Sequence, residues 1–569
     1  MYLDLTVPIP KVPGKIYVKN LKGTDYVSYE YGREYKPEKK YNIPKRTTIG
    51  KVVVEDRTMM YPNPNFLKFF PDADIPEEKN SSKRSSCLQI GTWLVIRKII
   101  EEQDLRGLLM KQFGAKDLGL FLDLAAYTII SENNAGQYYP DYAYHHPLFT
   151  ERMRIYSDTK VSEFLKSIDD DERVGFLNSW NEIRDHRERI YISYDSTNKA
   201  CQSGDISMAE FGHAKDDDGE PIINYSIAYD KTNREPLFYE DYPGSIVDIS
   251  QLQYMLEKAK GYGYKNIGFI LDRGYFSEPN IHYMDKCHYQ FVIMVKGMAD
   301  FIQGLVLDNK GKFEDDRRKS IRRFHVYGTT VRKTLYPADE NERYFHIYYS
   351  SSKNSAEREQ LEEKLDRMEK TLSKLKNRKD VELSPAFLKY YEPVVSKDGA
   401  FLYGMERKDV VENELKLCGY FVIITSESMT ALDALELYKS RDASEKLFRG
   451  DKSYLGNRTF RSGSEISAES KIFIEFVALI IRNRIYTKLK DAMEEEGQQN
   501  YMTVPAAIRE LEKIEMIRLM DKVYRMDHAV TATQKTILKA FDIDSAYIRK
   551  ATQELSGMLA QVDGEEQGV

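Results

Sequence analysis

Two apolar runs of strand length, Arg189-Ile190-Tyr191-Ile192-Ser193-Tyr194 and Asn266-Ile267-Gly268-Phe269-Ile270-Leu271, each run into an aspartate, Asp195 and Asp272. Between them stand two further strand candidates, Ile222 to Tyr229 and Pro236 to Tyr239, joined by a turn from Asp230 to Arg234, and a helix from about Ile249 to Ala259. After Asp272 come a helix near Asn280 to Lys286 and a fifth strand, Phe291 to Val295. β-branched and aromatic clusters of four to eight residues, alternating with helical spacing, predict an α/β sheet. Three strands, helix, strand, helix, strand is a restrictive order. It leaves few topologies open.

The carboxyl ends of strands line the usual ligand crevice of an open α/β sheet. If the two runs are neighbours, Asp195 and Asp272 reach one hard, oxygen-preferring cation such as Mg²⁺. A third carboxylate would complete a site for two metal ions about 3.5–4 Å apart, the arrangement that supports in-line phosphoryl transfer. An aspartate at a strand end also serves as an ordinary turn residue or helix cap. The order of elements raises this pair above that reading without deciding it.

The chain has 569 residues, enough for several cores, and 41% hydrophobic with 31% charged residues describes a globular protein. Met1 to Pro8 shows no basic region followed by an apolar run, so no secretory signal is expected. The most apolar stretch, Ile472 to Ile481, is short and carries Glu475, which predicts a buried helix and no membrane span. Cys87, Cys201, Cys287 and Cys418 are scattered, a pattern suited to a reducing cytoplasm and not to a structural zinc site. A net charge of −6 counts against a nucleic-acid partner, yet Arg317 to Lys333 holds seven Lys or Arg and no carboxylate.

Six segments follow. Residues 1–85 read as a basic, β-rich segment, with Tyr17-Val18, Tyr26 to Tyr31 and Ile49 to Val54 as strands punctuated by Pro44, Pro62 and Pro64. Residues 86–187 read as helical, either a DNA-binding or a packing domain. The α/β core begins at 188–297. Residues 298–425 interrupt it with strand candidates (Phe324 to Val331, Tyr344 to Tyr349, Tyr420 to Thr425) around a charged helical stripe. Leu361, Leu365, Met368, Leu372 and Leu375 in that stripe serve either a dimer contact or, the reading favoured by so few heptads, packing within the chain. The core resumes at 426–490, and 491–569 reads as a C-terminal helical region (Val504 to Leu519, Thr533 to Leu559) with a polar tail.

Tyr438, Arg441, Glu445 and Lys452 stand in the spacing Y-x2-R-x3-E-x6-K. On one helix the first three fall on a single face. A guanidinium offers planar bidentate contacts to phosphate, and an ammonium a compact point charge. A solvated helix with routine ion pairs carries the same residues.

This segment resembles the Y-R-E-K signature of bacterial insertion-sequence transposases of the DDE (Asp-Asp-Glu) class. Tyr194-Asp195-Ser196-Thr197 is similar to the first-Asp motif, and Leu271-Asp272-Arg273-Gly274-Tyr275-Phe276-Ser277 to the second. Gly212-His213-Ala214-Lys215-Asp216 and Pro243-Gly244 resemble family elements between them, and Ile43-Pro44-Lys45-Arg46 with Ile49-Gly50-Lys51 is similar to the N-terminus of one subgroup. The resemblance implies a ribonuclease-H-like mixed sheet core interrupted by a β-rich insertion, with a β-rich N-terminal segment and helical flanking regions. It implies that Asp195, Asp272 and Glu445 are catalytic and bind two Mg²⁺ ions, with Mn²⁺ as a substitute. It further implies that Tyr438, Arg441 and Lys452 contact DNA phosphate. Hydrolysis at the element ends would precede 3′-hydroxyl strand transfer into target DNA, in a cut-and-paste sequence. The implied partners are double-stranded DNA, as terminal inverted repeats and as target, and a second copy on paired ends. The implied place is the bacterial cytoplasm, at the nucleoid.

Other residues take plainer readings. Arg317, Arg318, Arg322 and Arg323 track DNA backbone or form a solvated hairpin. Lys199 touches phosphate or is exposed. His213 is a satisfied polar histidine, and Asp216-Asp217-Asp218-Gly219 a hairpin turn. Gly261-Tyr262-Gly263 is too isolated to bind nucleotide. Two rival functions share the core: a nuclease or resolvase without strand transfer, and a domesticated DNA-binding protein, whose mark would be a lost carboxylate.

Overall fold

The computed structural model describes the chain apart from residues 1, 3–4, 22, 38–39, 74–83, 185–188, 202, 204–205, 213–218, 247, 296–298, 338, 340, 442–458, 461, 498–501, 520–522 and 566–569. It divides into two units, Met1–Ser167 with Arg484–Val569, and Ile168–Asn483.

In the first unit, β1 (Val7–Pro8), β2 (Ile16–Leu21), β3 (Thr24–Lys36), β4 (Tyr41–Val52) and β5 (Met59–Pro62) form an antiparallel sheet in the order 1-5-4-3-2. Its core is Val7, Val27, Ile49, Val52, Met60 and Phe66. Pro44 does not end a strand as its sequence position suggests; it pairs with Arg33 inside β4. The reason is edge exposure. β5 reaches only Gly50–Val52, so β4 is a bare edge at Pro44 and the missing N–H breaks no bond to β5. Pro64 does punctuate, opening the helix Pro64–Phe69 behind the Asn63 cap.

Helices Gly91–Glu102, Leu105–Met110, Ala115–Ser131, Tyr139–His145 and Asp158–Ser167 follow the expected apolar spacing. Two buried ionic groups hold the loops between them. The Asp123 carboxylate accepts from the N–H groups of Phe149 and Thr150 and from the Thr150 hydroxyl, and burial pushes its pKa up to about 7. Arg84 donates to the carbonyls of Ala143, His146 and Met153. The C-terminal region departs from the all-helical expectation. The helix Val504–Leu511 stops, and the chain pairs as strands Glu515–Arg518 and Tyr524–Met526 with β6 (Cys87–Gln89). Met516 lies opposite Leu88 and is buried, so tertiary pairing overrides helical propensity there. The final helices are Ala532–Lys539 and Ser545–Glu565, the latter running into the stretch read as a polar tail.

The second unit is built on one mixed sheet. β7 (Ile190–Cys201), β8 (Ile222–Asp230) and β9 (Glu235–Pro243) are successive antiparallel neighbours. β10 (Ile267–Leu271) lies parallel to β7 on its other side, and β11 (Gln290–Met294) parallel to β10. The order β9-β8-β7-β10-β11, with only β8 reversed, is that of a ribonuclease-H-like core. Every residue of β8 is buried. Over that sheet, helix Asp170–Glu182, capped by an Asp169–Glu172 box, fixes β9 through Trp180 Nε1 to the Pro236 carbonyl (3.0 Å) and Asn181 to the Leu237 carbonyl. Helix Glu465–Glu495 adds Phe473 against Phe176 and Phe476 against Tyr239.

The interruption after β11 extends the same sheet. β12 (Ser320–Ile321), β13 (Val326–Thr334) and β14 (Glu342–Tyr349) precede a hairpin, β15 (Tyr391–Val395) and β16 (Phe401–Glu406), and β17 (Tyr420–Thr425). β17 sits antiparallel between β11 and β14, so the order continues 11-17-14-13-12. Within it His346 is fully buried. The Thr425 hydroxyl donates to the Glu427 carbonyl (2.7 Å), so it accepts from His346 Nε2 (3.0 Å). Nδ1 is then left to accept from the Thr330 hydroxyl (2.9 Å). The imidazole is neutral, and burial lowers its pKa to about 4. The leucine stripe lies on helix Ser351–Lys374 and packs within the chain, its Leu361, Leu365, Met368 and Leu372 against Tyr390, Tyr391, Phe401 and Val411.

Candidate active site

β7 and β10 run parallel with Leu271 opposite Tyr194, so the next residues, Asp272 and Asp195, occupy neighbouring positions. Parallel strands lie about 4.8 Å apart, and residues in register share a face. Tyr194, one residue back, points the other way into the core, where its hydroxyl donates to Ser226 Oγ (2.9 Å) and its ring meets Tyr275. The two carboxylates therefore project together from the carboxyl end of β10.

They get there differently. Asp272 follows the last residue of its strand and keeps an extended backbone (φ −71°, ψ 156°). Its carboxylate accepts from the Arg273 N–H (2.7 Å), starting a single turn, Arg273–Tyr275, that leads to the Ser277-capped helix Glu278–Lys286. Asp195 does not end its strand, contrary to the sequence expectation. β7 runs on to Cys201 because β8 still pairs it, with Asp195 opposite Ile227 and Lys199 opposite Ile223. What ends beside Asp195 is the parallel neighbour. Asp195, half-buried, stands at that step, its Oδ1 accepting from the Ser196 N–H (2.9 Å), while the residues after it are mostly buried and Thr459–Phe460 pairs parallel with β7 at Ala200–Cys201.

Helix Ala431–Lys439, capped by a Thr430–Asp433 box, brings in the next residues. Tyr438 is buried among Ile270, Val292, Tyr348, Ile423 and Leu435. Arg441 lies past the helix end, its N–H on the Tyr438 carbonyl (3.2 Å), so Tyr438 and Arg441 do not share one continuous helix. Its guanidinium nevertheless lies over the Tyr438 ring, 5.3 Å to the centroid, and pairs with the Asp272 carboxylate. Glu445 and Lys452 lie outside the described residues, as do His213 and Asp216 to Asp218. Among the described residues, no three His, Cys, Asp or Glu side chains converge as a metal site. Asp195 and Asp272 are themselves two hard oxygen donors on one rim, a set that fits a divalent cation such as Mg²⁺.

The basic stretch forms two single turns, Arg317–Lys319 and Arg322–Phe324, on either side of β12. Arg318 pairs with Asp316 (3.2 Å), and Arg323 with Glu436 (3.1 Å) on the helix that carries Tyr438. Both guanidinium groups are exposed. Lys199 follows neither sequence reading. Its side chain is 0% exposed and its ammonium meets Glu475 at 2.7 Å, with the Tyr225 ring 4.6 Å away. A clue was present in the sequence: a carboxylate inside the most apolar helix needs a buried cation.

The β9-β8-β7-β10-β11 order, with Asp195 and Asp272 side by side where β10 ends, defines a ribonuclease-H-like core. Residues 188–481, just over half of the chain, match the family model described as "Transposase DDE domain", and the chain belongs to that family. No curated protein matches it. Among solved structures it is similar to the piggyBac transposase synaptic complex with hairpin DNA, at 9% identity and a TM-score of 0.28. That likeness spans 65% of this chain and 57% of the other, and is too slight to carry an argument. Among the described residues, no helix is long and apolar enough to cross a membrane.

Proposed function

We propose that this protein is a DNA transposase, cutting phosphodiesters at the ends of an insertion sequence and joining the freed 3′-hydroxyl to target DNA. One observation carries the reading: the parallel register that sets Asp195 beside Asp272 within the family-matched segment. Asp195 and Asp272 would hold divalent cations, with Glu445 as the third carboxylate. Two bound Mg²⁺ ions, or Mn²⁺ in their place, supply activation of the attacking oxygen and stabilisation of the leaving one.

The chain's own groups set up the rest. Asp272 is aimed by its bond from the Arg273 N–H. Arg441 offers a planar donor pair to a DNA phosphate beside Asp272, and Tyr438 supports it as a buried ring. Lys452 adds a point charge close to the cleavage position. Arg317, Arg318, Arg322 and Arg323 follow the duplex backbone next to the Tyr438 helix. Double-stranded DNA, as terminal inverted repeats and as target, is the substrate. A homodimer holds the paired ends, in the bacterial cytoplasm at the nucleoid.

The test is a cleavage and strand-transfer assay on DNA bearing the element's flanking sequences, with Mg²⁺ present. Asp195→Asn, Asp272→Asn and Glu445→Gln should each reduce cleavage about a thousand-fold or more while duplex binding persists. Full activity in any one of them removes that residue from the site. Nicking without joining would make the protein a nuclease.

A further inference from the structure

The far half of the β3–β4 hairpin stands clear of the sheet that carries it. β2 pairs β3 only as far as Tyr29, and β5 pairs β4 only at Gly50–Val52. From Tyr31 to Lys36 and from Tyr41 to Arg46 the two strands pair only with each other, and the Tyr31 ring stacks on Phe69 at the base. All the described residues of this ribbon are exposed except Gly32, Ile43 and Pro44, which are half-buried.

Its composition is predominantly basic. Arg33, Lys36, Lys39, Lys40, Lys45 and Arg46 outnumber Glu34 and Glu38 in a chain whose net charge is −6, with Lys45 paired to Glu34 at 3.0 Å. Lysines and a proline on a bare edge also keep strands from pairing between copies. Edge protection does not account for two further features. Tyr35 and Tyr41 are 58% and 57% exposed, a cost that protection does not require. At the ribbon's base, Glu30 is buried and accepts from both Arg33 Nε (2.8 Å) and Arg46 Nε (3.1 Å), while the Arg46 guanidinium lies 3.7 Å from the Tyr17 ring centroid. One buried acid thus holds two guanidinium groups in place. Self-association along this ribbon would bring like charges together.

We propose that this ribbon enters a groove of double-stranded DNA. A two-stranded ribbon fits the major groove, about 12 Å wide. Lys36 and Lys40 meet phosphates, Lys45 exchanges its Glu34 partner (3.0 Å) for a third, and the hydroxyls of Tyr35 and Tyr41 bond phosphate or base edges. The proposal rests on the transposase reading and adds to it a DNA-binding element far from the catalytic residues in sequence.

The experiment uses the full-length protein and a random-sequence DNA duplex, followed by fluorescence anisotropy across a salt series. Lys36→Ala/Lys40→Ala/Lys45→Ala should flatten the slope of log affinity against log salt by roughly 2–3, close to one for each phosphate that no longer meets a lysine. Tyr35→Ser/Tyr41→Ser should weaken binding with the slope retained, and carries the test if the lysine variant does not fold. Both variants folding with wild-type affinity and slope overturns the proposal. So does a changed sedimentation coefficient with unchanged duplex binding, which would make the ribbon an interface between copies. If the wild-type protein cleaves element ends and the variants bind normally, the ribbon alone fails; if the wild type binds no duplex, both readings fail.

Discussion

The Arg441 guanidinium pairs with the carboxylate of Asp272 while lying over the ring of Tyr438. A residue expected to grip phosphate is therefore a counter-ion of a residue expected to grip metal. The two partners are 16% and 37% exposed, so their attraction is partly screened and worth about 1 kcal/mol.

Removing the guanidinium should leave Asp272 freer to bind a cation. Arg441→Ala is expected to tighten Mn²⁺ binding by the DNA-free protein about fivefold, read by electron paramagnetic resonance. The same variant should cleave DNA more slowly. Unchanged Mn²⁺ affinity would show that the pair does not compete with metal.

Lys199 and Glu475 form an ion pair with both side chains essentially out of solvent. Breaking one side leaves a buried charge, so Lys199→Met should destabilise the protein by roughly 3–5 kcal/mol in chemical denaturation. Lys199→Met with Glu475→Leu should recover most of that loss. Equal instability of the single and double variants would assign the effect to packing.

His346 should make the core acid-sensitive. Its pKa falls from 6.5 to about 4 through burial, so between these values the unfolded chain binds the proton and the folded one does not. Stability is therefore lost as pH falls from about 6.5 to 4, by about 3 kcal/mol from this group. Denaturation of wild type and His346→Gln across that range measures it as a difference. Parallel curves would remove His346 as the cause.

The stripe on helix Ser351–Lys374 predicts a local effect. Leu365→Ala should cost about 2–4 kcal/mol and speed amide exchange in that helix and in the β15–β16 hairpin. Sedimentation should not change. A variant that alters the oligomeric state instead would restore the dimer-contact reading.

Much of the core was legible from period and composition. Five strand runs between 188 and 297 carry β-branched and aromatic residues whose burial the sheet confirms, and Asp272 sits where its run ends. Other features were not legible, for reasons of partnership. Pro44 inside β4 depends on how far β5 reaches, and the strand at Glu515–Arg518 on Cys87–Gln89, more than 400 residues earlier. The end of helix Ala431–Lys439 before Arg441 belongs to the same class, since a three-four spacing does not say where a helix stops.

The amino-acid sequence by itself determined the order of strands and helices, the identity of the acidic and basic residues and the resemblance they carry. These follow from local spacing. Only the tertiary structure decided that Asp195 stands mid-strand beside Asp272, that the interruption continues the central sheet, and that Lys199 is buried. Each depends on which strand lies alongside which, and hydrogen-bond register between distant segments is not written in the spacing of either.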